Sequence, residues 1–217
     1  MARRRLRVAV LISGRGTNMA AIARACIDGH LDASVAAVIA DRPEAAGIGL
    51  AHDSGIETAV VHFRDFPQRA SFESALGATI GGCAPDLIAM AGFMRILSPE
   101  FVSGWTGRML NIHPSLLPRH RGLHTHRRVI EAGEIEHGAS VHFVTPELDA
   151  GPTVLQSRVP VRPGDTEAAL SARVQATEHI IYPRVIGWIA EGRLAWRNGA
   201  PLLDGHALDA PIVEDFE

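Results

Sequence analysis

The sequence predicts an α/β domain, a mostly parallel twisted sheet with helices on both faces, and three observations lead there. Through residue 113 the chain repeats one unit, a short β-branched apolar run, a turn and then a helical stretch, which is the signature of βαβ crossovers. Its 217 residues with 47% hydrophobic content are enough for one domain with a sizeable core. No internal repeat, low-complexity linker or composition break divides it.

Taken in order, LRVAVLIS reads as the first strand and NMAAIARACIDG as a helix closed by Gly29. SVAAVIA is the second strand, residues 45–54 a helical stretch, and ETAVVHF the third strand. Residues 66–77 have helical spacing, with Phe72 and Leu76 four apart on one face. DLIAMAG and RMLNIH follow as strands, separated by a short helix starting near Ser98 and Pro99, and HTHRRVIEAG is a helix closed by Gly133. Beyond Gly138 the pattern changes to two alternating strands, ASVHFVT and TVLQSRVPV, joined by the loop PELDAGP. A long amphipathic helix over TEAALSARVQATEHIIYPRVIGWIAEG comes next, with Pro183 as the place for a bend. Residues 1–194 form the main body, and residues 195–217 a small hairpin and acidic tail of the same domain.

Bulk properties exclude several classes. A net charge of -3 argues against a nucleic-acid binder, and the basic opening MARRRLR reads as a solvated start to the first strand. The apolar run behind it is too short for an export signal. No segment approaches the roughly 20 apolar residues of a membrane span, so the expected setting is the cytoplasm without a membrane partner. Cys26 and Cys83 are too few for a disulfide framework and read as reduced core thiols.

SGRGTNM lies between the first strand and first helix, where backbone N–H groups and the positive helix end can hold an anion. Gly14 and Gly16 fit the first two positions of a dinucleotide fingerprint, but Met19 takes the place of its third glycine. Asp41 stands about where the acidic partner of a ribose belongs, so a nicotinamide cofactor is disfavoured rather than excluded. A single phosphate on Gly16, Thr17 and Asn18 fits better; the competing reading is a tight turn in which Thr17 or Asn18 merely caps the helix. In either case the architecture is Rossmann-like.

RMLNIHP poses the sharper question. In an extended segment Asn111 and His113 share one face and Leu110 and Ile112 the other, while Pro114 marks where the chain leaves the sheet. An amide donor and a histidine fixed together at a strand end suit stabilisation of a developing oxyanion. A carboxylate is then needed to orient the histidine or move protons, and Asp149 in PELDAGP is the candidate, with a plain turn aspartate as the alternative. No serine or cysteine sits in a nucleophile elbow, which leaves direct attack by a bound amine or by water. The histidines at 113, 120, 124, 126, 137 and 142 invite a metal hypothesis, but their spacing matches no ligand pattern, so no metal is expected; His120 and His137 read as exposed.

SGRGTN, AGFMRILSPEF, NIHPSLLP, GLHTH, HGASVHFVTPELDAGP and QATEHIIYP, in this order, resemble the phosphoribosylglycinamide formyltransferases, folate-dependent enzymes of purine (IMP) biosynthesis. The resemblance runs from about Val8 to Leu194. It implies transfer of a formyl group from the cosubstrate 10-formyltetrahydrofolate to the amino group of glycinamide ribonucleotide through a tetrahedral intermediate, with no metal. By position in the motifs, Asn111 and His113 would stabilise the oxyanion and Asp149 would pair with His113. Gly16, Thr17, Asn18 and Glu178 would hold the ribonucleotide, and Arg69, Met94, Arg95, Ile96, Leu97 and Asn111 the folate. The implied assembly is a monomer or homodimer.

The chain departs from the resembled pattern at LPRHRG, with His120 and Arg121 where a tyrosine and a proline are usual. The arginine-rich version is similar to methionyl-tRNA formyltransferases, but no large basic region follows Leu194 to act as their nucleic-acid domain. A formyltetrahydrofolate deformylase, with water in place of the amine, and a non-catalytic sugar-phosphate binding protein are the alternatives carried forward.

Overall fold

The computed structural model describes residues 4–217; Met1 to Arg3, the first part of the basic opening, lie outside it. Strand β1 (Leu6–Ile12) is followed by α1 (Thr17–Ile27), β2 (Ala33–Ala40), α2 (Gly47–Asp53) and β3 (Thr58–Val60). The chain continues through α3 (Arg69–Gly82), β4 (Leu87–Met90), α4 (Pro99–Ser103), β5 (Met109–His113) and α5 (Thr125–Glu131). It ends with β6 (Glu136–Phe143), β7 (Thr153–Pro160), α6 (Glu167–Ala190), β8 (Leu194–Arg197), β9 (Ala200–Leu203), β10 (His206–Ala207) and β11 (Ile212–Asp215).

Eight strands form one sheet in the order β11-β7-β6-β5-β4-β1-β2-β3. The β1, β2, β3, β4 and β5 pairings are parallel, β6 runs antiparallel to both of its neighbours, and β11 is parallel to β7. The sheet is covered on both faces, as its alternation shows. Val8, Val10 and Ile12 point into a core with Met19 and Ile22 of α1 and Val174, Ile181 and Val185 of α6. Ala9 and Leu11 point the other way, onto Phe72, Leu76 and Ile80 of α3. Tyr182, fully buried on α6, donates its hydroxyl to the carbonyls of Met90 (3.0 Å) and Leu110 (3.1 Å), tying that helix to the ends of β4 and β5.

Three local expectations change. Strand β3 is three residues long, because the chain turns into a short 3-10 segment at Phe63–Asp65 instead of continuing through ETAVVHF. Helix α3 starts three residues later than its spacing suggests and runs on to Gly82, since Pro67 and the extended backbone of Gln68 precede it. The C-terminal hairpin gains a third short strand, and part of the acidic tail becomes β11, an edge strand whose Asp215 pairs with Arg158 of β7.

Between β1 and β4 the order of connection reverses: the chain goes from β1 outward to β2 on one side and returns to β4 on the other. In an open α/β sheet the crevice at the carboxyl ends of such strands is where ligands bind. Among the described residues, no helix is long and apolar enough to cross a membrane.

Candidate active site

A cavity of about 680 Å3 opens at that crevice, lined by residues 14–18 after β1, 90–96 after β4 and 111–114 at the end of β5, with Asp149 and the Ser171, Gln175, Glu178 face of α6 closing it. A smaller recess adjoins it, bounded by Arg95, Ile96, Leu97, Asn111, His142 and residues 144–149. Asn111 and Asp149 border both.

Gly16 closes the loop after β1 in a left-handed conformation (φ 73°) and is the N-cap of α1, where no side chain caps the helix. The reading of Thr17 or Asn18 as a capping side chain is therefore not what forms. The first N–H groups of α1 keep no intrahelical partner and face the cavity end of the helix. A Cβ on Gly16 would meet the Cα of Gly47 at 2.6 Å, so glycine is required for the loop to lie against α2. The side chain of Asn18 turns instead to α6, donating to Glu178 Oε2 at 2.7 Å. Burial pushes the Glu178 carboxyl above its ordinary range, while the Asn18 bond and the charge of Arg15 pull it back.

A dinucleotide would find its contacts already used. Met19 is fully buried in the core, and Asp41 is paired with Arg95 and Arg42. Arg95 also lies over the ring of Phe63, 4.3 Å from its centroid. These contacts hold the segment 93–98 on one side; Ser13 Oγ accepts from Met94 N (2.8 Å), and Glu73 accepts from Ser98 N (2.7 Å). Arg69 borders neither cavity and donates to the same Glu73 at 2.8 Å.

The chemistry-bearing groups converge at β5. Asn111 and His113 sit on one face of the strand, with Leu110 and Ile112 in the core on the other. Antiparallel β6 places His142 directly opposite Asn111. The His142 Nδ1 faces the carbonyl of Phe143 at 3.0 Å, and because a carbonyl only accepts, Nδ1 carries a proton. Burial holds this histidine near pKa 4, so at neutral pH its Nε2 is a bare acceptor for Asn111 Nδ2–H at 3.1 Å. The amide of Asn111 is thereby oriented, with one N–H committed to His142 and the other left for the cavity.

His113, buried, donates Nε2–H to the carbonyl of His120 at 3.0 Å and turns Nδ1 to Asp149 Oδ2 at 3.4 Å. Asp149 adopts φ 49°, a left-handed conformation uncommon for a non-glycine, and Oδ2 also accepts from Gly122 N at 2.9 Å. Its other oxygen lies 3.8 Å from His142 Nε2. One carboxylate thus faces two histidines and a backbone donor, which is more than a turn aspartate bonding its own backbone requires.

The structure brings Asn111, His113 and Asp149 together and sets Gly16, Thr17, Asn18, Glu178, Met94, Arg95, Ile96 and Leu97 around the two recesses. Two histidines read as exposed are not: His137 is buried with Nε2 2.9 Å from His126 Nδ1, and His120 is half-buried against Glu134. His142 and Gln175 belong to the site without having been singled out. Ser171, Gln175 and Glu178 are spaced four and three apart on α6, a helical signal available in the sequence. His142 has no such signal, since its place depends on antiparallel pairing. Among the described residues, no group of three His, Cys, Asp or Glu side chains is set to hold a metal.

Residues 6–186 match the family model described as formyl transferase. The chain is 50% identical over 203 residues to the phosphoribosylglycinamide formyltransferase of Escherichia coli K12, covering 94% of this chain and 96% of that protein. It is 45% identical to the Haemophilus influenzae enzyme of the same name, covering 93% and 95%. The solved structure of the Coxiella burnetii phosphoribosylglycinamide formyltransferase superposes with a TM-score of 0.92 at 48% identity, over 96% of this chain and 99% of that one. The family match, the shared fold and these identities over nearly the full length lead to one conclusion: the chain belongs to the formyl transferase family, among the phosphoribosylglycinamide formyltransferases.

Proposed function

We propose that this protein transfers the formyl group of 10-formyltetrahydrofolate to the amino group of glycinamide ribonucleotide, in purine biosynthesis in the cytoplasm. The observation that carries the reading is the convergence of an oriented amide donor, Asn111, with the His113–Asp149 pair beside a cavity that joins a helix N-terminus to a smaller recess. The ribonucleotide phosphate lies on Gly16, Thr17 and Asn18, with Glu178 and Gln175 toward its sugar and amine end. The folate lies along Met94, Arg95, Ile96 and Leu97 and enters the smaller recess; Arg69, at the start of α3, is left to the outer part of that ligand.

The amine attacks the formyl carbon, and the carbonyl oxygen gathers charge as the tetrahedral intermediate forms. The free N–H of Asn111 offsets it, with the His113 ring held beside the same position by Asp149 and the carbonyl of His120. One proton must leave the attacking nitrogen and one must reach the folate nitrogen as its bond to the formyl carbon breaks. Asp149, facing His113, is placed to accept the first, directly or through water, and the pair returns it to the leaving group. Exclusion of water by the occupied cleft favours the amine over hydrolysis.

The test is to mix the protein with 10-formyltetrahydrofolate, with and without glycinamide ribonucleotide, following folate absorbance and the mass of the ribonucleotide product. Turnover that needs the ribonucleotide and adds one formyl group to it is the expected result. Folate turnover without the ribonucleotide would replace the reading with a deformylase, and none in either mixture would leave a sugar-phosphate binding site.

A further inference from the structure

We propose that Glu134 is a positioning residue for the catalytic pair, setting the orientation of the His113 ring and the Asp149 carboxylate through the backbone of residues 120–122. The inference rests on the transferase reading for its kinetic readout, but its structural readout does not.

Both catalytic side chains are held by main-chain groups of one turn. His113 Nε2–H ends on the carbonyl of His120, and Asp149 Oδ2 accepts from the N–H of Gly122. To aim that carbonyl, His120 takes φ 52°, a left-handed conformation that a non-glycine residue keeps only when its surroundings impose it. Ser115 Oγ on the carbonyl of Arg119 (2.7 Å) and Arg128 Nη1 on that of Arg121 (2.7 Å) hold the backbone to either side, and the His120 side chain supplies the anchor at the residue itself. His120 Nε2 lies 2.6 Å from Glu134 Oε1, and because a carboxylate only accepts, this nitrogen carries the proton. The other oxygen, Oε2, takes Arg119 Nη2, so one carboxylate grips two successive residues of the turn.

Glu134 is itself firmly placed. Gly133, at φ 63°, ends α5 with its N–H on the carbonyl of Ile130 (3.0 Å), and Glu134 N–H bonds that of Val129 (3.2 Å). This paired closure fixes the direction in which the next side chain leaves the helix. The ion pair of Arg121 with Glu147 also touches the turn, but Glu147 is 74% exposed and such surface pairs hold little. Glu134 is 20% exposed and His120 14%.

The experiment compares Glu134→Ala and Glu134→Gln with the full-length parent. It measures steady-state kinetics, and it records ring-nitrogen NMR spectra of the ligand-free proteins, with the His113 signals assigned by their loss in His113→Asn. Glu134→Ala should lower kcat by about 10-fold to 100-fold while KM for both substrates stays within about threefold, as for a group that acts only on the geometry of the chemical step. The His113 Nε2–H resonance should move or exchange away. Glu134→Gln keeps an oxygen acceptor for His120 and should retain kcat within about threefold and the parental resonance. Should Glu134→Ala not fold, His120→Ala removes the same anchor from the other side and should shift the His113 resonance in the same way. An unmoved His113 resonance in the alanine variants overturns the proposal whatever happens to kcat, and so does a moved resonance with unchanged kcat. A moved resonance in a protein whose parent shows no formyl transfer would uphold the positioning and overturn only the transferase reading.

Discussion

Acidification from pH 7 to pH 5 should destabilise this protein through histidines that it buries neutral, and His137 gives the effect a size. Burial, reinforced by the neighbouring charges of His126, His120 and His113, lowers its pKa from the ordinary 6.5 to about 3. The unfolded chain therefore takes up a proton over an interval in which the folded chain does not. The stability contributed by a neutral His137 is complete above pH 6.5 and is lost as the pH falls toward the folded value. At pH 5 the unfolded state is about 1.5 pH units into its titration, which with 1.36 kcal/mol per unit amounts to about 2 kcal/mol lost from this one residue. His142, held near pKa 4 mainly by burial, adds a loss of similar size and sign. Against a typical total of about 5–15 kcal/mol, two such residues matter. The raised carboxyl of Glu178 works in the opposite direction, gaining stability on acidification, so the net value alone does not isolate the histidines. The assay is a pair of urea titrations at pH 7 and pH 5 on the parent and on His137→Gln. Whatever the variant's absolute stability, it should lose about 2 kcal/mol less between the two pH values. Equal losses in the two proteins would refute the argument.

Asn111→Ala removes the only side-chain amide aimed from β5 into the cavity and should lower kcat by about 100-fold to 1,000-fold, with an unchanged circular dichroism spectrum; a smaller loss would count against an oxyanion role. Asp149→Asn keeps an acceptor for Gly122 N–H but loses the charge facing His113, and turnover should fall by about 100-fold or more, whereas near-parental turnover across pH 6 to 9 would remove Asp149 from the mechanism. Gly16→Ala puts a Cβ 2.6 Å from the Gly47 backbone at a left-handed position, so it should cost about 1–3 kcal/mol in thermal unfolding and raise KM for the ribonucleotide more than that for folate. A parental KM would show that the loop does not carry the phosphate.

The sequence by itself determined the parallel half of the sheet, because β-branched runs alternating with helical stretches admit few other arrangements, and local signals such as Pro99 and Gly133 mark where helices begin and end. Asn111 and His113 were also legible, since a two-residue period assigns faces without any knowledge of neighbours. Asp149 could be named as a loop carboxylate, but not placed. Its approach to His113 depends on how the loop after β6 folds back and on the Gly122 N–H that receives it, both contacts between residues far apart in the chain. Only the tertiary structure decided that β6 lies antiparallel beside β5, and with it that His142 orients Asn111. Only it showed that Asp41 serves Arg95 rather than a ribose, and that Glu134 reaches back to His120. The physical reason is common to all of these. Propensity and periodicity are properties of neighbouring residues, whereas a strand's partner, a side chain's burial and a histidine's tautomer are settled by whichever distant groups the chain packs against it.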